Sequence, residues 1–202
     1  QLTYYAYTSW QFYLANKEQA GYVIPTGNVG NSTAAYWAKA MGFPIREIVL
    51  ATNANRVISD YISNGKFEPK ASVATIANAM DVGNPSNFER LSHLYNTLDS
   101  FKANVTAFSV NDEQIRQIIK EVNQQFNYVV CPHTATGYFA RKELSAAPWI
   151  IAATADPCKF ETIIEPITGT TLPVAEQLQA ILAKPAQVVE VPADINAVQQ
   201  AF

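Results

Sequence analysis

The segment GYVIPTGNVGNSTAAYWAKAMG, residues 21–42, decides how we interpret the fold of this chain. Its first six residues are a short apolar run, and GNVGN at residues 27–31 follows as a loop rich in glycine and asparagine. The remainder is typical of a helix, with Asn31 or Ser32 as the N-cap and Gly42 as the C-cap. The segment therefore predicts a strand, a tight loop and a helix.

The same order repeats directly downstream. REIVLAT at residues 46–52 predicts a second strand, and the run from residue 54 to Gly65 predicts a second helix. Strand–helix–strand–helix order implies an α/β protein, a parallel twisted sheet with helices on both faces. Periodicity and capping residues predict further helices at 111–126, 133–144, 156–167, 172–182 and 193–202, and a further strand at 148–153.

The chain opens with an aromatic segment, residues 1–19. Its apolar residues recur at three- and four-residue steps, which predicts an amphipathic helix: Leu2, Tyr5, Ala6, Trp10, Tyr13 and Leu14. The segment has no basic start and no small-residue cleavage site, so it does not resemble a signal peptide. Because the chain begins on Gln1 rather than methionine, we expect a piece of a longer protein.

Composition restricts the class of function. Of the 202 residues, 49% are hydrophobic and 15% are charged, which is typical of a globular protein with a sizeable core. The net charge of -3 without a basic stripe argues against nucleic acid, and no apolar run approaches the roughly 18 residues that span a bilayer. Cys131 and Cys158 are expected to be reduced thiols of a cytoplasmic protein, and their spacing is not that of a metal site.

The glycine–asparagine loop is the first candidate site. In an open parallel sheet ligands bind where strands end and helices begin. Gly27 and Gly30 would let the backbone approach an anion closely and adopt positive φ, while Asn28 and Asn31 would donate to the ligand or hold the turn. The loop contains no lysine and lacks the spacing of three glycines, so it matches neither the P-loop nor the dinucleotide fingerprint. From the loop itself, a bound phosphate and an ordinary turn both stay open.

Other polar residues follow the predicted strands. Thr52, Asn53 and Asn55 would bind a ligand or cap the next helix. An irregular stretch concentrates Asn78, Asp81, Ser86, Asn87 and Arg90, and polar residues gathered in a loop are more often functional than the same residues on a helix face. His133 and Thr154 would face the carboxyl ends of the strands, whereas His93 is expected on a helix surface.

Several separated segments, in order, carry a family resemblance. VIPTGNVGNSTAAYWAKAMGFPI, LATNANRVISDYISNGKFEPK, TIANAMDVGNPSNFERL, PHTATGYFA and IIAATADPCKFETIIEPITG resemble threonine synthase over nearly the whole chain. Threonine synthases are pyridoxal 5'-phosphate (PLP) lyases of fold type II. They convert O-phospho-L-homoserine and water to L-threonine and phosphate in threonine biosynthesis.

The resemblance implies roles for the candidate residues. The loop residues Gly27, Asn28, Val29, Gly30 and Asn31 hold the cofactor phosphate, chiefly through backbone amides, and Thr154 bonds the pyridine nitrogen. A hydroxyl partner leaves that nitrogen largely unprotonated and so tunes the electron sink. The resemblance also places a group of residues on the substrate side: Asn78, Asp81, Ser86, Asn87, Arg90 and His133.

The sequence departs from the family pattern in two ways. The family's Schiff-base lysine stands in a Phe-Lys-Asp setting, and none of the nine lysines here has that setting. Within the loop, Val29 and Asn31 replace the phenylalanine and aspartate often found there. We therefore interpret residues 1–202 as the C-terminal PLP-binding portion of such an enzyme, without the N-terminal domain that carries the lysine. We predict that the chain is inactive by itself.

Two other interpretations stay open at this point. The chain would be a stand-alone phosphate- or nucleotide-binding α/β module if residues 27–31 were its whole site. It would otherwise belong to a related PLP enzyme for β-elimination or replacement, such as a dehydratase or a cysteine-synthase-like enzyme. Those enzymes share the glycine-rich loop but lack the block that here spans residues 78–90.

Overall fold

A computed structural model describes residues 1–174 and 176–201 of the chain. The chain divides into two compact units, residues 1–171 and residues 172–202, and every candidate site residue lies in the first. Two predicted helices, 172–182 and 193–202, each include one position, Ala175 and Phe202 respectively, that lies outside the described residues.

The first unit contains a four-stranded parallel sheet. Its strands are β1 (Ala20–Pro25), β2 (Ile45–Thr52), β3 (Thr106–Ser109) and β4 (Trp149–Ile151), in the order β3-β2-β1-β4. The predicted parallel sheet is confirmed. β3 was not predicted from the sequence, because its four residues are exposed or half-buried and lack the continuous apolar run of a central parallel strand. β4 is also shorter than the predicted strand at 148–153.

Eight helices of the first unit are described: α1 (Leu2–Asn16), α2 (Gly30–Ala40), α3 (Val57–Asn64), α4 (Phe88–Leu94), α5 (Leu98–Asn104), α6 (Asp112–Phe126), α7 (Pro132–Lys142) and α8 (Glu161–Thr168). Two 3-10 turns, Asn78–Met80 and Pro157–Phe160, lie between them. The second unit has α9 (Glu176–Leu182) and α10 (Ile195–Gln200). The helix predicted at 156–167 is thus a 3-10 turn, which begins at Pro157, followed by α8.

Helices cover both faces of the sheet because successive side chains of a strand point to opposite sides. On one face, Tyr22, Ile24 and Leu50 join a cluster that includes Tyr36 of α2 and Phe101 of α5. On the other face, Val23, Val49 and Ala51 pack with Ala140 of α7. Burying a large aliphatic side chain contributes roughly 1.5–3 kcal/mol. These two layers therefore hold the carboxyl ends of β1, β2 and β4 in fixed positions.

The N-terminal helix is confirmed, but its predicted amphipathic pattern is wrong. Its buried residues are Tyr5, Ala6 and Ser9, whereas Trp10 and Leu14 are exposed. Aromatic residues occur around the whole circumference of α1, and the sheet buries only one side of it. Periodic spacing identified the helix but could not say which of two apolar sides faces the core.

Within the part of the chain that the structure describes, no helix has both the length and the apolar character needed to cross a bilayer.

Candidate functional site

The glycine–asparagine loop joins the carboxyl end of β1 to the amino end of α2, as predicted. Its conformation differs from the expectation in one respect. The residue with positive φ is Val29, at 50°, and neither Gly27 nor Gly30 adopts positive φ. Val29 is also the N-cap of α2, in place of the predicted Asn31 or Ser32.

Gly27 and Gly30 instead allow close packing. A Cβ atom on Gly27 would lie 2.6 Å from the Cα atom of Met80, and one on Gly30 would lie 3.2 Å from the Asn87 side chain. Both glycines thus let the loop approach the polypeptide between residues 78 and 87. That polypeptide is the irregular stretch in which the sequence analysis placed substrate residues.

The two asparagines hold the loop. Asn31 accepts from the hydroxyl of Thr26 at 2.6 Å and donates to the carbonyl of Pro25 at 2.8 Å. Asn28 accepts from the backbone N–H and the hydroxyl of Ser86, and its own backbone carbonyl accepts from the Asn87 side chain at 3.1 Å. Asn28 and Asn31 were expected either to donate to a ligand or to hold the turn. The structure shows that they hold the turn.

Ser86 precedes α4 but does not cap it. The N-cap of α4 is Asn87, and the Ser86 hydroxyl is used in the bond to Asn28. The predicted C-cap of α2 also shifts by one residue, from Gly42 to Met41, although Gly42 follows with φ of 91°. The Ser86 hydroxyl thus forms a contact with a residue distant in sequence rather than a local cap.

The backbone N–H groups of residues 27–31 form no hydrogen bond to any other described residue. The first N–H groups of a helix have no partner within it, and the helix dipole places partial positive charge at the same end. A bent loop of free N–H groups at a helix N-terminus is the geometry that binds phosphate.

A buried polar network lies behind the neighbouring stretch. The Asp81 carboxylate accepts from the side chains of Asn53 and Thr75, each at 2.7 Å, and from the Thr75 backbone at 3.0 Å. Asn55, which is also buried, donates to the Asn53 side chain and to the carbonyl of Val73. The sequence left two roles possible for Asn53 and Asn55, ligand binding and helix capping. In the structure they instead anchor the polypeptide that precedes the 78–80 turn.

His133, the second residue of α7, supports the 78–80 turn. Its Nε2 atom accepts from the Ala79 backbone N–H at 3.1 Å, so the neutral imidazole carries its proton on Nδ1. Nδ1 is buried without a hydrogen-bond partner among the described residues, and the Phe160 ring lies 4.8 Å from the imidazole. Burial lowers the pKa of His133, with the Asp81 carboxylate opposing part of the shift.

These parts meet around one cavity of about 310 Å³. Its wall combines the loop, the 78–80 turn, the start of α7 and the segment after β4: Gln1, Pro25, Thr26, Gly27, Asn28, Gly30, Asn31, Ala79, Met80, Asn87, His133 and Thr154. Pockets of this size accept small-molecule cofactors. Thr154 reaches the cavity because β4 is the sheet neighbour of β1, so the segments after both strands emerge at the same edge.

The structure separates the remaining predicted residues. The side chain of Val29 is fully buried, and the Asp81 carboxylate is bonded in the network with Asn53 and Thr75. Asn78 is exposed in its turn, away from the cavity wall, and Arg90 lines a different surface depression together with Trp37 and His93. Among the predicted substrate residues, Asn87 and His133 are the two that line the cavity.

The lining also includes residues that the sequence analysis did not select, among them Ala79, Met80 and Gln1. The side chains of these three residues have no chemical property that would have marked them in the sequence as part of a site. The roles of Thr75 and Asn53 were likewise missed, although a run of polar residues after a buried strand was a usable signal.

No lysine lines this cavity, and all nine lysines of the sequence lie within the described residues. The described residues also contain no group of three or more histidine, cysteine, aspartate or glutamate side chains placed to hold a metal ion. The lining of the cavity combines the backbone of the loop with the hydroxyls of Thr26 and Thr154 and the imidazole of His133.

Known proteins resemble this chain in sequence. Residues 133–202 match the family model described as threonine synthase, C-terminal. The chain is 31% identical to threonine synthase of Escherichia coli (strain K12), over 99% of this chain and 47% of that protein. It is 33% identical to threonine synthase of Haemophilus influenzae, over 88% of this chain and 42% of that protein.

A solved structure shows the same fold. The PLP-bound threonine synthase of Brucella melitensis superposes with a TM-score of 0.90 at 25% identity, covering 99% of this chain and 49% of the other. The resemblance seen in the sequence motifs is thereby confirmed. The chain spans about half the length of the relatives it matches.

Proposed function

We propose that this chain, a relative of the threonine synthases over about half of their length, forms the phosphate and ring part of a PLP site. The observation that carries the proposal is one cavity lined by Thr154 and by the loop residues Gly27, Asn28, Gly30 and Asn31, whose N–H groups have no partner among the described residues. The residues present fit the cofactor, because PLP needs an anion site and a partner for its ring nitrogen. When bound, PLP supplies an electron sink.

The chain's own residues would act as follows. The N–H groups of residues 27–31 donate to the phosphate oxygens, and the dipole of α2 adds favourable potential at the same place. Thr154 offers its hydroxyl to the ring nitrogen, the role that the family resemblance implies. Asn28 and Asn31 keep the N–H groups in place through the bonds that they form to Ser86 and Pro25.

The substrate side would lie across the 78–80 turn. His133 fixes that turn through the Ala79 N–H, and Asn87 presents its side chain to the same cavity. We propose O-phospho-L-homoserine as the substrate and L-threonine and phosphate as the products of the whole enzyme. The lysine that binds PLP covalently would come from the part of the polypeptide outside this chain, since the cavity has none.

A pair of glycine substitutions tests the phosphate loop in the full-length enzyme. In Gly27→Ala the new Cβ atom meets the Met80 backbone, which cannot move without shifting the turn, so we expect PLP affinity to fall by at least about tenfold, or about 1.4 kcal/mol. Gly30→Ala meets only the end of the Asn87 side chain, and we expect a smaller effect. Equilibrium titration of the apoenzyme with PLP gives both values.

Titration with pyridoxal, which lacks the phosphate, is the control for this pair. Pyridoxal should bind more weakly than PLP to the parent enzyme and should lose little further affinity in Gly27→Ala. The phosphate assignment would be refuted by a Gly27→Ala enzyme that binds PLP as the parent does. Threonine formation from O-phospho-L-homoserine by the same preparations tests the proposed reaction separately.

A further inference from the structure

His133 joins two walls of the candidate cavity. It is the second residue of α7, and the first turn of that helix is buried, which gives the imidazole a fixed support. Its Nε2 atom accepts from the Ala79 N–H at 3.1 Å, and the Phe160 ring lies 4.8 Å from the imidazole. Because only 3% of His133 is exposed, its bond to Ala79 is shielded from water.

The 78–80 turn depends on bonds from outside itself, since it is a single 3-10 turn of three residues. The Asn53 side chain holds the start of the turn by donating to the carbonyl of Ala77 at 3.2 Å, and the bonded Asp81 carboxylate holds its end. Between those two points, the N–H of Ala79 is bonded to His133. The imidazole therefore sets the position of the middle of the turn.

Met80 transmits this position to the glycine–asparagine loop. A Cβ atom on Gly27 would lie 2.6 Å from the Met80 Cα atom and 2.9 Å from the Met80 carbonyl oxygen, so the two backbones are in direct contact. Close-packed backbones have no room to absorb a shift, and a movement of one displaces the other. The series of contacts that begins at His133 thus ends at Gly27, a residue that lines the cavity.

Only the neutral imidazole can accept the bond from Ala79. In the imidazolium ion both ring nitrogens carry a proton, so Nε2 would present an N–H to the N–H of Ala79. Two donors that face each other repel, and a buried N–H that loses its acceptor is unfavourable. Protonation of His133 therefore breaks the bond that holds the middle of the turn.

Burial and one carboxylate govern the protonation of this imidazole. Burial lowers the pKa of His133, and the Asp81 carboxylate opposes part of that shift. Within the described part of the chain, other titratable groups lie on the elements around the imidazole: Asp112, Cys131, Asp156, Cys158, Lys159 and Glu161. The shift arises from burial and Asp81 rather than from these groups. His133 is therefore neutral at about pH 7.5 and is protonated on acidification.

We propose that His133 is a positioning residue for the loop at residues 27–31. In its neutral form it holds Ala79 and Met80 against Gly27, and its protonation releases the turn and weakens the binding of a phosphate group by the loop. His133 acts through the turn and not by contact with the phosphate. The inference rests on the proposed function, which identifies this group as the phosphate of PLP.

The pH dependence of PLP binding tests this role in the full-length enzyme. The apoenzyme is titrated with PLP at about pH 8 and at about pH 5.5, for the parent and for His133→Gln. Glutamine keeps an acceptor near the position of Nε2 and does not titrate. Because the titration of PLP itself is common to both proteins, their comparison isolates the imidazole. We expect acidification to weaken PLP binding by the parent at least about threefold more than binding by His133→Gln.

Two further variants separate positioning from other effects. His133→Asn removes the acceptor of the Ala79 N–H, so its PLP affinity should already be lower than that of the parent at the higher pH. Its affinity should then change with pH no more than that of His133→Gln. His93→Gln removes the other histidine of the chain, which is exposed on α4, and should keep the pH dependence of the parent.

A signal from the turn reports its release without any ligand. With carbon-13 at the methionine methyl groups of the apoenzyme, the Met80 signal should shift on acidification in the parent and should shift much less in His133→Gln. The Met41 methyl group, on a residue that is 64% exposed at the end of α2, is the internal control. A Met80 signal with the same pH dependence in both proteins would refute the release of the turn.

The failure of this inference and the failure of the proposed function give different results. Equal pH dependence of PLP affinity in the parent and in His133→Gln would overturn the inference and leave the proposed function intact. A full-length enzyme that binds no PLP at the higher pH would instead contradict the proposed function. Inorganic phosphate then serves as the probe of the same loop, and the same comparison of the two proteins decides the inference. If neither PLP nor phosphate binds, both proposals are wrong.

Discussion

At the scale of single residues, Val29 has the most unusual backbone of the site. It holds φ of 50° although it is β-branched, a combination that side-chain sterics disfavour. Its carbonyl accepts from the Thr33 N–H and from the hydroxyls of Ser32 and Thr33, at 2.9, 3.0 and 2.7 Å. Such strain persists only where the surroundings over-determine it, and it concentrates at ligand sites. The loop is therefore held in its bent conformation by the chain's own hydrogen bonds.

His133 gives a pH prediction at this scale. Its pKa is lowered in the folded state, so between that pKa and the ordinary value of about 6.5 the unfolded chain binds more protons. The contribution of His133 to the free energy of unfolding should begin to fall as the pH drops below about 6.5 and should be lost below the folded-state pKa. Urea unfolding between about pH 7.5 and pH 5 measures this slope.

Two substitutions isolate the contribution of His133. His133→Gln does not titrate and keeps an acceptor near the position of Nε2, so its stability at pH 7.5 should stay close to the parent value and its pH slope should be shallower. His133→Asn leaves the Ala79 N–H without its partner and should be less stable than the parent by about 1–3 kcal/mol at pH 7.5, where the imidazole is neutral. A slope in His133→Gln equal to that of the parent would show that other groups cause the pH dependence.

At the scale of elements, the pairing of β1 with β4 brings the two parts of the proposed cofactor site together. β1 ends in the loop, and β4 leads to Thr154. Gly21 pairs with Trp149 in this ladder, and a Cβ atom on Gly21 would lie 2.4 Å from the indole ring. The Arg46 guanidinium also lies 4.8 Å from the centroid of that ring, so the ring is confined between a strand and a cation.

Gly21→Ala should therefore overpack this junction and lower the free energy of unfolding by about 1–3 kcal/mol. Urea unfolding of the parent, Gly21→Ala, Trp149→Leu and the double variant forms a double-mutant cycle. Because leucine removes the ring that the new methyl group meets, Gly21→Ala should cost less in the Trp149→Leu background. Additive effects of the two substitutions would contradict the proposed contact.

At the scale of the whole molecule, one polypeptide supplies the proposed phosphate loop and the proposed ring partner of the cavity, and no lysine lines the cavity wall. The parts that are present come from β1, β4, α7 and the 78–80 turn, which are far apart in sequence and meet only through the sheet and its two helical layers. The same first unit leaves apolar surface exposed on α1 and around β4. A cavity without a lysine and an exposed apolar surface are both expected of a chain that is one part of a larger folded protein.

The 202-residue chain alone should consequently form no threonine from O-phospho-L-homoserine and PLP. It should also retain no PLP covalently after borohydride reduction, because no lysine borders the cavity. Coupled assay of phosphate release and mass spectrometry of the reduced protein measure these two outcomes, with the full-length enzyme as the positive control. Turnover, or a reduced PLP adduct on one of the nine lysines, would contradict the half-site interpretation.

The sequence by itself determined the α/β class, most of the helices, the loop at residues 27–31 and the family resemblance. Those features depend on local periodicity, on glycine and on the order of motifs along the chain. Only the tertiary structure decided that Asn28 bonds to Ser86, that His133 supports Ala79, that Arg90 lies away from the cavity and that the outer side of α1 stays uncovered. Each of these depends on which distant segment fills the space beside a residue, and spacing along one chain does not encode that contact.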